Sequence, residues 1–320
     1  MDDASAAGAV SVLEAAREVD KPHRPGHILA EFQAWVGCGW DGDVPHFALG
    51  SEHGKVVALA EMMLPSWDNR HLCLVDLVVD PRSRERGVGT ALLDSVMQRA
   101  RSTGRSTLVT DSLEQPAPLA LAKRFGLTQV SVEQARRQDL DGLDREALRE
   151  ALKEASAHAE GYDLERMPRI VPEEMAPDVV ALNAAINDAP VDELNLEAEV
   201  FSVERLRVFE RTQVTLGRRT YRLVARERSS GLLAGHTVMA ISAQQPWHAS
   251  QYDTSVVVAH RGHRLGLLLK LEMLRWLEEC EPQVRYIDTW NTASNDYMVS
   301  VNERLGYRLT ETVIAWQGSL

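Results

Sequence analysis

The feature that most constrains this chain is a segment that occurs twice. In the second half, an apolar and β-branched run over residues 254–258 leads into a basic, glycine-containing turn, His260-Arg261-Gly262-His263-Arg264-Leu265-Gly266. A helical pattern follows, with Leu268, Leu271, Leu274 and Leu277 at spacings of three. Next come an apolar strand over 286–290, Asn291, Asn295 and a short helix closed by Leu305-Gly306-Tyr307. Glycine suits the left-handed residue that ends a helix. In the first half, a strand over 72–79 reaches Arg84-Glu85-Arg86-Gly87-Val88-Gly89, and a helix over 91–100, a strand over 106–110 and a short helix ending at Gly126 follow. Asp76 stands eight residues before Arg84, and Asp253 eight before Arg261. Gly89 precedes Gly126 by 37 residues and Gly266 precedes Gly306 by 40. Recurrence of the whole order and spacing marks two copies of one α/β unit.

A strand that breaks into a basic turn and then opens a helix presents free backbone N–H groups and the positive end of the helix dipole. That is an anion site suited to phosphate. An ordinary β–α turn with solvated arginines is the alternative for either turn taken alone.

Arg84 to Gly89 fits every position of Arg/Gln-x-x-Gly-x-Gly/Ala, the acyl-CoA pyrophosphate loop of the GNAT superfamily of N-acetyltransferases, which the chain resembles. Arg261 to Gly266 fits the first and last positions, but Arg264 stands where that family usually has glycine. The resemblance implies a mixed-sheet α/β fold, two tandem domains and acetyl-CoA as cofactor. The pyrophosphate would lie on the loops Arg84, Glu85, Arg86, Gly87, Val88, Gly89 and Arg261, Gly262, His263, Arg264, Leu265, Gly266. It also implies pantetheine between two parting strands, with Val79, Val256 and Val258 offering backbone groups and Asn291 and Asn295 bonding the cofactor. An N-cap or turn role is the alternative for each Asn. Family members often carry a tyrosine, the acid for the leaving thiolate, four residues before the last glycine. Here Asn302 and, in the first copy, Ala122 hold that place. Asn302 can donate a hydrogen bond but not a proton. His248 and Asp253 are the candidate bases: the ordinary imidazole pKa suits proton removal, whereas a recurring carboxylate equally serves structure.

After its last strand residue the first copy reads Asp111-Ser112-Leu113-Glu114-Gln115-Pro116, without the paired Asn residues. This places catalysis in the second copy, with domains at 1–150 and 151–320. The expected activity is acetyl transfer to the primary amine of a small molecule by direct attack in a ternary complex. A non-catalytic acyl-CoA-binding or regulatory protein is the other reading.

Composition narrows the partners. A net charge of −12 disfavours nucleic acid or an anionic membrane. Cys38, Cys73 and Cys280 have no metal-ligand spacing, so no metal is expected, and they read as reduced thiols of a cytoplasmic monomer or homodimer. The start, Met1-Asp2-Asp3-Ala4, lacks the basic opening of a signal peptide, and no apolar run approaches membrane-spanning length. A polar stretch over 147–159 reads as a connecting helix. The loop over 187–197 carries Asp188, Asp192, Glu193 and Glu197 and no base. In the resembled family such a segment lines the acceptor side, which predicts a cationic amine.

Overall fold

The structure, a computed structural model, describes residues 1–320. The first helix, α1 (Asp3–Asp20), is set by its cap: the Asp2 carboxylate accepts the Ser5 N–H at 2.8 Å, and Ala6, Ala9, Val12 and Ala16 are buried along one side. Then come α2 (Leu29–Cys38), β1 (His46–Glu52), β2 (Lys55–Met63), β3 (Leu72–Val79), α3 (Val88–Ser102), β4 (Thr107–Leu113), α4 (Pro116–Arg124) and β5 (Thr128–Asp139). The second half adds α5 (Arg145–His158), β6 (Tyr162–Met167), α6 (Ala176–Asn183), α7 (Val203–Thr215), β7 (Arg218–Glu227), β8 (Leu233–Ser242), β9 (His248–Val256), α8 (Leu265–Cys280), β10 (Tyr286–Thr292), α9 (Asp296–Arg304) and β11 (Tyr307–Ser319). No helix is long and apolar enough to cross a membrane.

The contacts divide the chain into two units that interleave in sequence. Unit 1 is Met1–Glu133, Val191–Ala198 and Thr312–Leu320; unit 2 is Gln134–Pro190 and Glu199–Glu311. The units therefore depart from a division at residue 150. β5 and β11, each the last strand of its copy, divide between the units, and β11 has no counterpart in the sequence reading.

In unit 1 the strand order is β1-β2-β3-β4, then the second part of β11. β11 pairs antiparallel with β4 from Val313↔Leu113 to Ser319↔Thr107. β3 and β4 are parallel only from Leu72↔Thr107 to Val75↔Thr110, after which they part. One face is covered by α3 through Leu92, Leu93, Val96 and Met97, packed on Ala58, Ala60, Cys73, Val75 and Leu108. The other is covered by α1 and α2 through Ala6, Ala9 and Phe32 over Leu59.

In unit 2 the order is β5-β10-β9-β8-β7-β6. β9 and β10 are parallel from His248↔Tyr286 to Ser250↔Asp288 and then part. The register between β8 and β9 slips between Thr237 and Met239, which places an extra β9 residue at Tyr252-Asp253, a bulge next to the parting point. α5 is no mere connector: Leu148, Ala151 and Ala155 are buried in the core that also holds Leu265, Leu268 and Leu271 of α8.

Candidate functional site

Unit 1 has an opening where β3 and β4 diverge, and each face of the sheet contributes to it. On the α3 face lies the basic turn. Gly87 caps α3 with φ at 84°, a left-handed conformation that glycine adopts without strain. Gly87 is exposed, and Val88 and Gly89 are partly accessible, so the helix N-terminus is open to an anion. A Cβ on Gly89 would already touch the Val79 side chain at 3.4 Å, which marks a close approach between turn and strand. The arginines are turned to other uses. Arg84 donates through Nε to the Val79 carbonyl at 3.2 Å and through Nη1 to Asp20 at 2.9 Å. Arg86 pairs with Glu52 at 3.0 Å. Glu85 holds φ at 60° and is exposed. The turn thus offers phosphate mainly backbone N–H groups, with its shape braced by arginine.

On the α1–α2 face the opening is acidic. Glu61 of β2 lies directly opposite Asp76 of β3 in register. Trp35 of α2 donates its indole N–H to Glu61 Oε1 at 2.8 Å. Burial pushes the Glu61 carboxyl up to about 7; the Trp35 hydrogen bond opposes this and the Asp76 charge adds to it. Asp111, the first β4 residue beyond the last β3–β4 pair, is reached by solvent through the opening. The protein walls around it still strip hydration from its carboxyl, which is pushed up to about 6 by this burial and then by Glu133 and Asp76. Ser131 Oγ lies 2.9 Å from Glu133 and 2.8 Å from Asp192, within reach of both for its one donated hydrogen bond, so the acidic loop reaches this same group. That loop is moored in unit 1: Glu193 N–H donates to the Val130 carbonyl at 3.1 Å, and Glu197 N–H to Asn69 Oδ1 at 2.7 Å. Only Asp188, outside the moored segment, stays with unit 2, paired to Arg261 at 2.9 Å.

The corresponding opening in unit 2 is differently furnished. Gly262 has φ at 87° and Arg264, at the cap of α8, is left-handed at φ 56°, where glycine stands in unit 1. Arg264 is drawn to Glu154 of α5, which also holds Arg304. His263 lies 5.4 Å from the Tyr162 ring. Leu265 and Gly266 are buried, and a Cβ on Gly266 would sit 3.8 Å from the Tyr297 hydroxyl. This turn is therefore less open to an anion than its unit 1 counterpart. Val256 ends β9 and its carbonyl accepts from Arg261 Nε at 3.2 Å. Val258 is not in the strand: it begins a 3-10 turn, and its carbonyl is taken by the Arg261 N–H at 3.2 Å. Asn295 caps α9, accepting the Met298 N–H at 3.2 Å, so a local helix end uses its oxygen.

The three residues expected to carry chemistry in unit 2 each bond to a different set of partners. His248 lies in the still-paired part of β9, bonded through Nε2 to Asp288 at 2.9 Å. Burial would raise the Asp288 carboxyl, but hydrogen bonds from Arg137 and His248 outweigh it and hold it at about 2. Asp253 sits at the bulge, its Oδ2 2.6 Å from His236 Nε2 and 3.1 Å from Ser255 Oγ. Burial pushes this carboxyl up, yet His236, then Ser255 and Arg222, keep it below the usual carboxylate range, which makes it a weak base. Arg222 reaches His236 Nδ1 at 2.6 Å; a guanidinium only donates, so His236 carries its proton on Nε2 and donates to Asp253. Asn302 is fully buried, accepting from Lys270 Nζ at 2.5 Å and donating to Asn291 Oδ1 at 2.7 Å. Glu61, Asp111 and Lys270 carry no motif. Their only signals are a lone carboxylate at the end of the run 56–63, an Asp just past a strand, and a lysine inside the run 267–271.

Residues 11–127, most of unit 1, match the model of the acetyltransferase (GNAT) family. A tandem GNAT protein from the clavulanic acid biosynthesis pathway, solved without acetyl-CoA, superposes with a TM-score of 0.80 at 27% identity, covering 99% of this chain and 95% of that one. A GCN5-related N-acetyltransferase from Sphaerobacter thermophilus superposes at 0.74 with 18% identity, covering 100% and 94%, and speaks to the fold alone. No curated protein matches the sequence.

Proposed function

We propose that this chain, an acyl-CoA-dependent N-acetyltransferase carrying a GNAT-family domain in the build of a tandem GNAT protein, uses unit 1 as its transferring centre and acts on a small cationic amine. The observation that carries this reading is the Glu61–Asp76 pair beside the parting of β3 and β4, with the open Arg84–Gly89 turn on the opposite face of the same sheet. Acetyl-CoA, when bound, supplies the activated thioester. The turn amides and the N-terminus of α3 would hold its pyrophosphate, and the strand opening would admit the pantetheine arm. Glu61, Asp76, Asp111, Glu133 and Asp192 attract a protonated amine to the α1–α2 side.

Transfer requires that amine to lose a proton. Glu61, with its carboxyl near 7, is matched to accept it at neutral pH, with the Asp76 side chain opposite it in register to help hold the amine. The neutral amine would then attack the thioester carbonyl, and as the C–N bond forms the C–S bond breaks. The second proton shed by the nitrogen passes through water to the departing coenzyme A thiolate, because Ala122 leaves no side-chain acid there, and Glu61 returns its own proton to solvent. This reverses the division expected from the Asn series, in which unit 2 was catalytic. There Asp253 is too weak a base and His248 is engaged before the strands part.

The test is acetylation of a panel of diamines, polyamines and neutral amines, followed by mass spectrometry for wild type, Glu61→Gln and Asp253→Asn. Loss of product in Glu61→Gln, with Asp253→Asn near wild type, supports unit 1. The opposite pattern returns catalysis to unit 2, and a preference for neutral amines removes the cationic acceptor.

A further inference from the structure

Lys270 is the most unusual charge in the molecule. It lies in the apolar run of α8 with 3% exposure, and its Nζ contacts Asn302 Oδ1 at 2.5 Å and sits 5.0 Å from the centre of the Tyr307 ring. Burial lowers its pKa to about 7. Unit 1 shows that the fold does not need this polarity. Nine residues after Arg84, as Lys270 is nine after Arg261, stands Leu93; Ala122 matches Asn302, and Leu127 follows Gly126 as Tyr307 follows Gly306. All three unit 1 residues are buried and apolar. A buried amine replaces a leucine only at a cost in desolvation, so its retention calls for a use.

The hydrogen bonds supply one. Below about pH 7 Lys270 is an ammonium and only donates, so Asn302 must turn Oδ1 toward it and Nδ2 away from it. Asn302 Nδ2 then donates to Asn291 Oδ1 at 2.7 Å, and Asn291 must in turn direct its own NH₂ away from the interior. Oxygen and nitrogen of an amide look alike in most structures; here the donor-only end decides both. Asn291 is partly exposed and lies on β10 beyond Asp288, the last residue paired with β9. The outer end of the chain is thus at the opening of unit 2.

We infer that Lys270 is a positioning residue that fixes the polarity of Asn291 through Asn302, so that Asn291 presents N–H donors to a carbonyl of a pantetheine-type ligand lying between β9 and β10. The inference rests on unit 2 taking a CoA-like ligand as its fold implies, without requiring chemistry there. An acceptor-only atom is recognised, and a ligand offering N–H at that point is refused.

A double-mutant cycle tests it, with coenzyme A as probe and calorimetry at pH 6, in the full chain carrying Gly89→Val so that unit 1 is blocked. Lys270→Met should weaken binding about three- to tenfold, as should Asn291→Ala, each losing one hydrogen bond. Adding Lys270→Met to Asn291→Ala should cost less than twofold more, because Lys270 acts only through Asn291. Asn302→Leu, which cuts the chain in the middle, should behave as Lys270→Met does. A merely structural lysine would weaken binding equally in both backgrounds, and that result overturns the relay. No detectable coenzyme A binding in the Gly89→Val chain overturns both the relay and the ligand it rests on. Thermal melts confirm that each variant is folded; Lys270→Met should melt no lower than its parent.

Discussion

Glu61 and Asp76 face each other across β2 and β3, two carboxylates opposed in register at the point where β3 leaves β4. Like charges so placed cannot both ionise freely, and burial has selected Glu61 as the one that holds its proton to about 7.

The first prediction concerns that carboxyl. Acetylation by wild type should rise with pH through about 7, as Glu61 ionises and becomes a base. Glu61→Gln should lower kcat roughly 10²- to 10⁴-fold and abolish the inflection. Stability runs the other way. The folded pKa is raised, so the folded state binds the proton more tightly and wild type loses stability as pH rises from the ordinary 4.5 to about 7. Glu61→Gln should lose this slope in melts at pH 5 and pH 8. A wild-type kcat profile flat from pH 6 to pH 8 would count against Glu61.

The second concerns the two turns. Gly89→Val places branched carbons against Val79, where a Cβ alone is already at 3.4 Å, and closes the amides to phosphate. Coenzyme A affinity at unit 1 should drop at least about tenfold (one such fold is ~1.4 kcal/mol), and acetylation should fall with it. Gly266→Val should leave acetylation within about twofold, since transfer is assigned to unit 1. The comparison of kcat/KM for the two variants checks it.

A third follows from where the acidic loop is moored. Asp192 bonds Ser131 beside Glu133, whereas Asp188 pairs with Arg261 in unit 2. Asp192→Asn should raise KM for a cationic amine about two- to fivefold, and salt should do the same to wild type, as expected for screened charges worth ~0.2–1 kcal/mol each. Asp188→Asn should leave that KM unchanged. Equal effects of the two substitutions would refute the assignment.

The fourth separates structure from chemistry. Asp288 is gripped by Arg137 at 2.6 Å and by His248 at 2.9 Å, with a folded pKa of about 2 against the ordinary 3.8. Its contribution is full above pH 4 and is lost as pH falls toward 2. Asp288→Asn should cost roughly 3 kcal/mol in urea unfolding at pH 7, because Arg137 is left without its counter-charge. Acetylation per folded molecule at low temperature should not change.

The sequence by itself determined the repeated strand, turn and helix, because each rests on neighbours in the chain. Period-two and period-3.6 burial, glycine at left-handed positions and an open helix N-terminus are local physics, and Arg84–Gly89 was legible from them. Asn295 illustrates the limit: its spacing fits both a ligand contact and a helix cap, and only the structure shows its oxygen accepting the Met298 N–H of its own helix. Only the tertiary structure carries the observations behind the proposal that unit 1 is the copy equipped for proton transfer. Glu61 is an unremarkable carboxylate until Trp35 and the α1–α2 face cover it, and Lys270 until α9 and β11 close over it. The same holds for β11, whose residues 313–319 pair with β4 from the far end of the chain. Burial and strand partnership are properties of residues distant in sequence, and desolvation, which sets the pKa of Glu61 and Lys270, exists only once those distant residues have packed.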